Sequence, residues 1–543
     1  MMRLNRMVSC LAMALLLALT AAPALAQESA PQVARGVVFM DDNGNGVRDS
    51  GELGMPGVAV SNGREVVLTD DDGAYELPID DDTILFVIKP PHYATPVNET
   101  QLPRFYYIHK PAGSPQYRFP GVEPTGPLPE SVDFPLVHRP EPSAFEAVFF
   151  GDTQPYTMEQ VYFVGHDVVT ELIGTDAAFV VSLGDLVGDD LDLFEPLADL
   201  QSLIGVPFYN VLGNHDIDFK APNQALASQT FQRVYGPPYY AYHHGQVTFV
   251  VLENVDWDGS EYTSGLGEKQ LEWLENFLEV VPKDRLVVLM MHIPIMGTAE
   301  KEAIFAALEP FPHNFSISGH WHRQRHYYLG EEDGWTREDL HHHLVSATVS
   351  GSWWRGVRDE VNMPSAMMSD GIPNGYSFIA FDGTDYTIRY KVARRPDSYQ
   401  MNVYAPNAVE ASAVGETEVV ANIFSGSERS TVEFRVGDSD WQPMEQTTRM
   451  DPFYLKLKAR EGWLIGHLTE GLSAEEREGF DLRAVEGIQE FYGRPLPDAR
   501  DTDHIWVATL PADTPPGFQL IEVRTTDQFG QTDTGRRIIH ILE

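Results

Sequence analysis

Residues 213–216 read Gly-Asn-His-Asp and set an amide, an imidazole and a carboxylate side by side at the end of the apolar run Phe208 to Leu212. Four other apolar runs end in the same manner. Ala147 to Gly151 leads into Asp152 and Gln154, Phe179 to Gly184 into Asp185, Leu286 to Met291 into His292, and Phe315 to Gly319 into His320 and His322. One histidine on an apolar strand is ordinarily a satisfied core residue. Five runs that all close on metal-binding side chains reverse that expectation. Asp and Asn oxygens with imidazole nitrogens suit divalent Mn, Fe or Zn, and the lack of cysteine beside them argues against a structural zinc knot. Two such cations, joined by a bridging ligand, would clamp the entering and departing oxygens of an in-line phosphoryl displacement. They would also make hydroxide available near neutral pH.

These side chains must be delivered by strands that share one edge, because ligands of open α/β sheets bind beyond the carboxyl ends of the strands. Helical stretches at Met158 to Ile173 and Leu193 to Ile204 separate the first three runs, giving β-α-β-α-β. A hairpin around His243-His244-Gly245 follows, then a helix from Glu268 to Val281 with Leu271, Leu274, Leu278 and Val281 on one face. A helix from Ala299 to Leu308 lies between the runs that end at His292 and His320, and alternating strands from Arg325 to Arg394 are expected to close a second sheet. The predicted catalytic domain, residues 143–396, is α/β: a layered β-sandwich flanked by helices.

All-β, sandwich-like domains are predicted on both sides of it. Residues 1–26 have the pattern of a secretory signal, with Arg3 and Arg6, an apolar stretch from Met7 to Leu19, and Ala24-Leu25-Ala26 before the expected cleavage. The predicted location is secreted or periplasmic. Cys10, the one cysteine, falls inside that segment, where the apolar region follows it instead of preceding it as lipidation would require. Residues 27–142 read as a small β-sandwich that starts with a strand up to Met40. Its next residues, Asp41, Asn43, Asn45, Val47 (through its carbonyl), Asp49 and Glu52, have calcium-loop spacing, with Gly46 at the sharp turn. A strand stands where an EF-hand has a helix, so the loop resembles instead the calcium-bearing loops of bacterial surface β-sandwich repeats. Thirteen prolines between Pro90 and Pro142 exclude a long helix there, and His138 to Pro142 reads as the linker. Residues 397–543 read as a β-rich, immunoglobulin-like accessory domain with one helical insertion near Ser473 to Gly479. The formal charge of −42, which loss of Arg3 and Arg6 would take to −44, opposes nucleic acid and anionic membranes at long range. No apolar run beyond the signal reaches membrane-spanning length. The oligomeric state has no signature in the sequence.

The ordered set Asp152-x-Gln154, Gly184-Asp185, Gly213-Asn214-His215-Asp216, His292 and Gly319-His320-x-His322 resembles the calcineurin-like metallophosphoesterase superfamily over residues 145–395. The whole chain is similar to its secreted bacterial type with an N-terminal and a C-terminal β module, and Ser369 to Tyr376 resembles that subgroup as well. The resemblance implies that Asp185 bridges two divalent metals. Asp152, His322 and Gln154 would hold one, and Asn214, His292 and His320 the other. His215 would protonate or stabilise the leaving oxygen, oriented by Asp216. Gln154 departs from the histidine common in the superfamily; an amide oxygen is the weaker ligand, so either that site holds its metal loosely or Gln154 sits behind the ligands. Purple acid phosphatases carry a ligand tyrosine three residues after the bridging aspartate, where this chain has Gly188.

Other clusters are less pointed. His341-His342-His343 should alternate faces of a strand and so serve the surface or back up the ligands, and His243-His244 should lie in a hairpin turn. Trp353-Trp354 could form an aromatic platform with Arg355 beside a substrate, or place one indole in the core and one at a domain interface. The expected function is a secreted, metal-dependent hydrolysis of a small phosphomonoester or phosphodiester by metal-activated hydroxide. The alternative is a calcium-dependent surface or adhesion protein that keeps the phosphoesterase domain as a scaffold. The chain has no Gly-x-Ser-x-Gly and no Walker phosphate loop.

Overall fold

The structure is a computed structural model that describes residues 32–478, 485, 488 and 494–543. The signal-like segment 1–26 and Gly479 lie outside the described residues. Eight short strands build the N-terminal module as two four-stranded sheets. Along Gln32–Met40 the buried Ala34 and Val38 fall on the inner face, where they meet Tyr75, Leu77 and Phe134. Phe134–His138 returns parallel to that first strand. The expected linker is no free tether. Glu141 is buried, paired with Lys89 Nζ at 2.6 Å, and accepts the Gly245 N–H at 2.9 Å, which ties the segment to the catalytic domain.

Two sheets make up the catalytic domain. The first runs Phe208–Asn210, Val180–Ser182, Ala144–Phe150, Gly375–Asp382, Asp385–Val392, with its first three strands parallel. The second runs Tyr240–His244, Val247–Val251, Leu286–Met290, Asn314–Ser318, His341–Val345, Arg325–Leu329, and its four inner strands are parallel. Period-two alternation splits each strand between two cores. Ala147 and Phe149 point with Val181 into the core shared with Phe249 and Ile379, where the Phe179 and Phe249 rings stand 5.2 Å apart. Val148 and Phe150 point the other way, onto Val161 and Val164 of the helical stretch that starts at Met158 and onto Leu197 of the helix Phe194–Ser202. Trp273, Leu274, Phe277 and Leu278 of Gly267–Val280 cover the outer face of the second sheet. The residues from Arg325 to Arg394 do not all join the second sheet as expected. Gly375–Asp382 and Asp385–Val392 pair onto the first, antiparallel to Ala144–Phe150.

The C-terminal module holds a four-stranded and a five-stranded sheet around its own core of Val419, Phe434, Trp506, Ile521 and Ile539. It is not all-β. A 17-residue helix, Pro452–Leu468, precedes the short helix Ala474–Glu478, the part of the expected insertion that is described. Asp451 caps its N-terminus by accepting the Tyr454 N–H, and proline stands in its first turn. Only Tyr454 and Glu461 of this helix are buried, so it lacks the apolar stripe by which helices are read from sequence. No helix among the described residues is long and apolar enough to cross a membrane.

Candidate metal centre

The five runs end together, as their pattern predicts. Their last residues leave the strands in strained backbone. Gln154, Asp185, His320 and His322 have φ of 39°, 48°, 70° and 48°, a left-handed region that non-glycine residues rarely occupy. Glycines next to them allow the close approach. A Cβ at Gly213 would strike the Asp185 amide and carboxylate, and one at Gly319 would strike Asp152 Oδ1.

His292 shows what the cluster is for. Its Nδ1 donates to the Leu183 carbonyl at 2.9 Å, so Nε2 carries the lone pair. That nitrogen faces Asn214 Oδ1 at 3.0 Å, Asp185 Oδ1 at 3.2 Å and His320 Nδ1 at 3.2 Å. Asp185 Oδ1 also accepts the His215 backbone N–H at 2.9 Å, and a shared proton or a cation would relieve the crowding of Nε2 among these acceptors. Among the described residues, Asp185, His292 and His320 are the one trio of His and acidic side chains with ligand atoms all within 4.8 Å. Burial alone would lower His292, but Asp185 overrides it and carries the imidazole up to about 9, so a proton stands where a cation would. Burial likewise opposes ionisation of Asp185, yet the charges of His292 and His215 hold its carboxyl well below the usual range. Burial and then His292 press His320 down to about 4, which keeps it neutral as a metal ligand must be.

The other half lies across Asp185. His322 Nδ1 donates to the Gly351 carbonyl, leaving Nε2 free 3.2 Å from Asp152 Oδ2. Asp152 Oδ2 and Gln154 Oε1 are buried without a hydrogen-bond partner. Gln154 Nε2 donates to Asp185 Oδ2 at 3.3 Å, so the Asp185 carboxylate touches both halves. The donor set of two carboxylates, two amide oxygens and three imidazoles fits two borderline divalent cations.

His215 and Asp216 differ from expectation. Asp216 does not orient His215. It is fully buried and accepts N–H groups from Gly213, Leu186 and Val187 at 2.8, 3.0 and 3.1 Å, clamping two ligand-bearing turns together. The orienting group is Asp189, whose Oδ1 takes the His215 Nδ1–H at 2.6 Å. Burial acts to lower His215, but Asp185 and Asp189 lift it up to about 9, and its side chain stays partly exposed. Asp189 sits four residues after Asp185 with φ of 68°, a signal that spacing alone does not carry.

The remaining clusters resolve as follows. His341, His342 and His343 are all buried, with His341 and His343 on one face and His342 on the other. They serve neither the surface nor the ligands. His243 and His244 end a strand instead of forming the turn, and His244 lies 3.2 Å from Glu141. Trp354 is core, its Nε1–H donating to the Thr153 carbonyl at 2.9 Å, while the Trp353 ring lies 4.2 Å from the His322 ring. Tyr156 and Tyr262, which the motifs did not mark, stand 6.3 Å from His215 and 6.2 Å from His320. Ser369 to Tyr376 is a joint. Asp370 accepts the Gln324 N–H at 3.3 Å, two residues beyond His322, and lies 3.5 Å from His504 of the C-terminal module. In the N-terminal loop, Asp41 is buried and accepts the Gly44, Asn45 and Gly46 amides, Asn43 and Asn45 both donate to Asp49, and Glu52 accepts from Asp42 and Asp49. The Asp41, Asp49 and Glu52 carboxylates do not form a trio as close as that of Asp185.

A strand-end cluster of carboxylate, amide and imidazole donors is what a metallophosphoesterase needs. Three family profiles match: calcineurin-like phosphoesterase at residues 146–324, its N-terminal module at 42–122 and its C-terminal module at 343–532. The chain belongs to the calcineurin-like phosphoesterase superfamily, in the form with both modules, and is a phosphoester hydrolase. No curated protein matches the sequence. Among solved structures, a dimetal phosphatase from Danio rerio is 14% identical and aligns over 45% of this chain and 98% of its own, with a TM-score of 0.32. A purple acid phosphatase from yellow lupin (Lupinus luteus) seeds is 12% identical over 62% of this chain and 67% of its own, with a TM-score of 0.35. The C-terminal profile begins at residue 343, although the strands His341–Val345, Gly375–Asp382 and Asp385–Val392 belong to the catalytic sheets.

Proposed function

We propose that the protein is an exported phosphoesterase that hydrolyses a small phosphomonoester or phosphodiester at a dinuclear site. The observation that carries this reading is the set of opposed lone pairs at His292, Asp185, Asn214 and His320, with the unpartnered Asp152 Oδ2 and Gln154 Oε1 beside it. Asp185 would bridge, Asp152, His322 and Gln154 would hold one cation, and Asn214, His292 and His320 the other. Two bound cations would polarise the phosphoryl oxygens and supply hydroxide near neutral pH. The chain's own part is positional and protonic. Asp189 fixes the His215 ring, leaving its Nε2 as the group that hands a proton to the departing oxygen. Asp216 holds the turns of Gly213 and Leu186, so the ligands keep their strained geometry. Strain of this kind costs about 1–3 kcal/mol per residue and persists where surrounding structure enforces it, which a mere scaffold has no reason to keep.

The test is hydrolysis of p-nitrophenyl phosphate beside bis-p-nitrophenyl phosphate by the mature chain as isolated, after chelation, and after adding back Mn, Zn or Fe. Activity restored by metal is expected, and the ratio of the two rates separates monoesterase from diesterase. A folded protein inert under every metal would overturn the reading. Export is supported by the N-terminal pattern alone, from Arg3 and Arg6 through the apolar stretch to Ala26, and N-terminal sequencing of the protein from extracytoplasmic fractions checks it. Calcium at Asp41–Glu52 is supported by ligand spacing and by the turn that the loop amides already hold. Calorimetric titration of calcium into wild type and Glu52→Gln decides it. We infer the domain divisions at 142/143 and 396/397, which agree with a catalytic sheet that ends at Val392 and a following strand that starts at Met401.

A further inference from the structure

The wall beside His322 is formed by residues 350–356. Trp353 and Trp354 are consecutive left-handed residues, with φ of 56° and 57°, a conformation that bulky side chains adopt only when held there. Trp354 supplies the hold through its buried bond to the Thr153 carbonyl, between Asp152 and Gln154. The turn then sends Trp353 onto the His322 ring and sets the Arg355 guanidinium 4.9 Å over the Trp353 ring. Arg355 is thus two ring spacings from a metal-ligating histidine.

Its charge is not answered. The chain has 80 acidic and 38 basic residues, yet no described carboxylate stands against this guanidinium. Nearby Arg358 and Arg394 pair with Glu159 at 2.8 Å and Asp359 at 2.7 Å. Arg355 forms no ion pair or side-chain hydrogen bond among the described residues, and its Nε is buried without a partner. A second cation stands behind it. The Gly356 N–H donates to the Arg494 carbonyl at 2.9 Å, and Arg494 acts on Arg355 as a like charge. The Tyr156 phenol, 6.3 Å ring to ring from His215, feels Asp185 and Asp189 as well as Arg355 and Arg494. The Trp353 ring, packed on His322 and under the guanidinium, sets Arg355 at the edge of the site. An arginine at a site edge that no carboxylate among the described residues answers suits an anionic ligand.

We propose that Arg355, backed by Arg494, binds a second oxyanion of the substrate, so that the preferred phosphoester bears another phosphate or a carboxylate on the group it releases. This rests on the phosphoesterase reading above. It adds a substrate class that the metal ligands do not specify.

The experiment compares kcat/KM of the metal-loaded full chain for phenyl phosphate, 4-carboxyphenyl phosphate and 1,4-phenylene bisphosphate, in wild type, Arg355→Met and Arg355→Lys. Methionine keeps an unbranched apolar stem beside Trp353 but removes the charge. Wild type should favour an anionic leaving group over phenyl phosphate by about tenfold or more, mostly through KM. Arg355→Met should abolish that ratio, and Arg355→Lys should restore part of it. The carboxylate and phosphate arms show which oxyanion is read. Metal content and unfolding midpoint are measured on each variant, so a folding defect registers separately from a lost preference. Equal rates on all three esters in wild type, or a ratio unchanged in Arg355→Met, would overturn the proposal and leave the phosphoesterase reading standing. Absence of hydrolysis of any ester would overturn that reading, and the proposal with it.

Discussion

Two neighbouring strands of one sheet both gather buried histidines, and they do opposite things. Asn314–Ser318 runs on into His320, and His341–Val345 lies beside it. On the second strand every polar atom has a complementary partner. Ser318 can donate to His343 Nε2 at 3.0 Å, His343 Nδ1 to Ser316 at 2.6 Å, Ser316 to His341 Nε2 at 2.7 Å, and His341 Nδ1 to Asn314 Oδ1. The opposite face closes likewise, from Tyr386 through His342 to His326 and Ser425. Donors alternate with acceptors along each chain, so no ion is wanted. At His292 a single nitrogen, Nε2, meets two oxygen acceptors, Asn214 Oδ1 and Asp185 Oδ1, as well as His320 Nδ1. A metal centre is thus marked by unanswered lone pairs and not by the number of histidines.

The contrast breaks most sharply at Asp185, which touches both halves of the site. Asp185→Asn should lower turnover by about a thousandfold or more and reduce bound metal, since a neutral amide cannot bridge two cations. Metal analysis beside initial rates checks it, and unchanged turnover would remove Asp185 from the bridging role. Next comes a paired substitution. His292→Ala should lose metal, whereas His343→Ala should keep metal and turnover but cost about 3 kcal/mol of stability in urea, because it opens a cavity and orphans Ser316 and Ser318. If both variants lost metal alike, the distinction between the two strands would be wrong.

Much of the site was legible because each ligand ends an apolar run, and buried parallel strands announce themselves by composition. Asp152, Asp185, Asn214, His292, His320 and His322, which the structure brings together, all carry that mark. Asp189 does not: its partnership with His215 depends on a left-handed turn that no spacing rule encodes. Asp216 was assigned the wrong task for a related reason. A carboxylate next to a histidine in sequence points away when the turn reverses, and here it meets three amides. Gly375–Asp382 alternates as any half-buried strand does, and its pattern could not say which sheet it would join. The helix Pro452–Leu468 was hidden by the absence of an apolar face, though Asp451-Pro452 was a readable start.

A gentler probe is the proton that His292 holds. With the imidazole lifted to about 9 when no cation is bound, metal entry must displace that proton. Affinity should therefore rise about tenfold per pH unit up to roughly pH 9 and level off above it. Metal titrations in two buffers of different ionisation enthalpy, at pH 7 and pH 9.5, count the proton directly. His341, which burial takes down to about 3, should contribute none. A pH-independent affinity would mean that His292 is not a ligand. At Asp189 the effect is on turnover alone. Asp189→Asn should reduce kcat about tenfold by loosening the His215 ring while metal content stays as in wild type. Loss of metal instead would make Asp189 part of the ligand scaffold.

Gln154 offers the smallest change and the finest distinction. Its Nε2 holds Asp185 Oδ2, and its Oε1 is buried with nothing to accept from. Gln154 is fully buried, so the amide cannot turn to solvent to satisfy that oxygen. An oxygen left so is either a weak ligand or a fault in packing, and the two predict different things. As a ligand, Gln154→Leu should weaken the cation shared with Asp152 and His322 about tenfold, with turnover at saturating metal falling only about twofold. Gln154→His should tighten the same cation, because imidazole is the stronger donor. As a packing fault, Gln154→Leu should raise the unfolding midpoint of the chelated protein and leave metal affinity alone. Competition titrations with a chelator of known strength resolve the two populations of bound metal, and only the weaker one should respond.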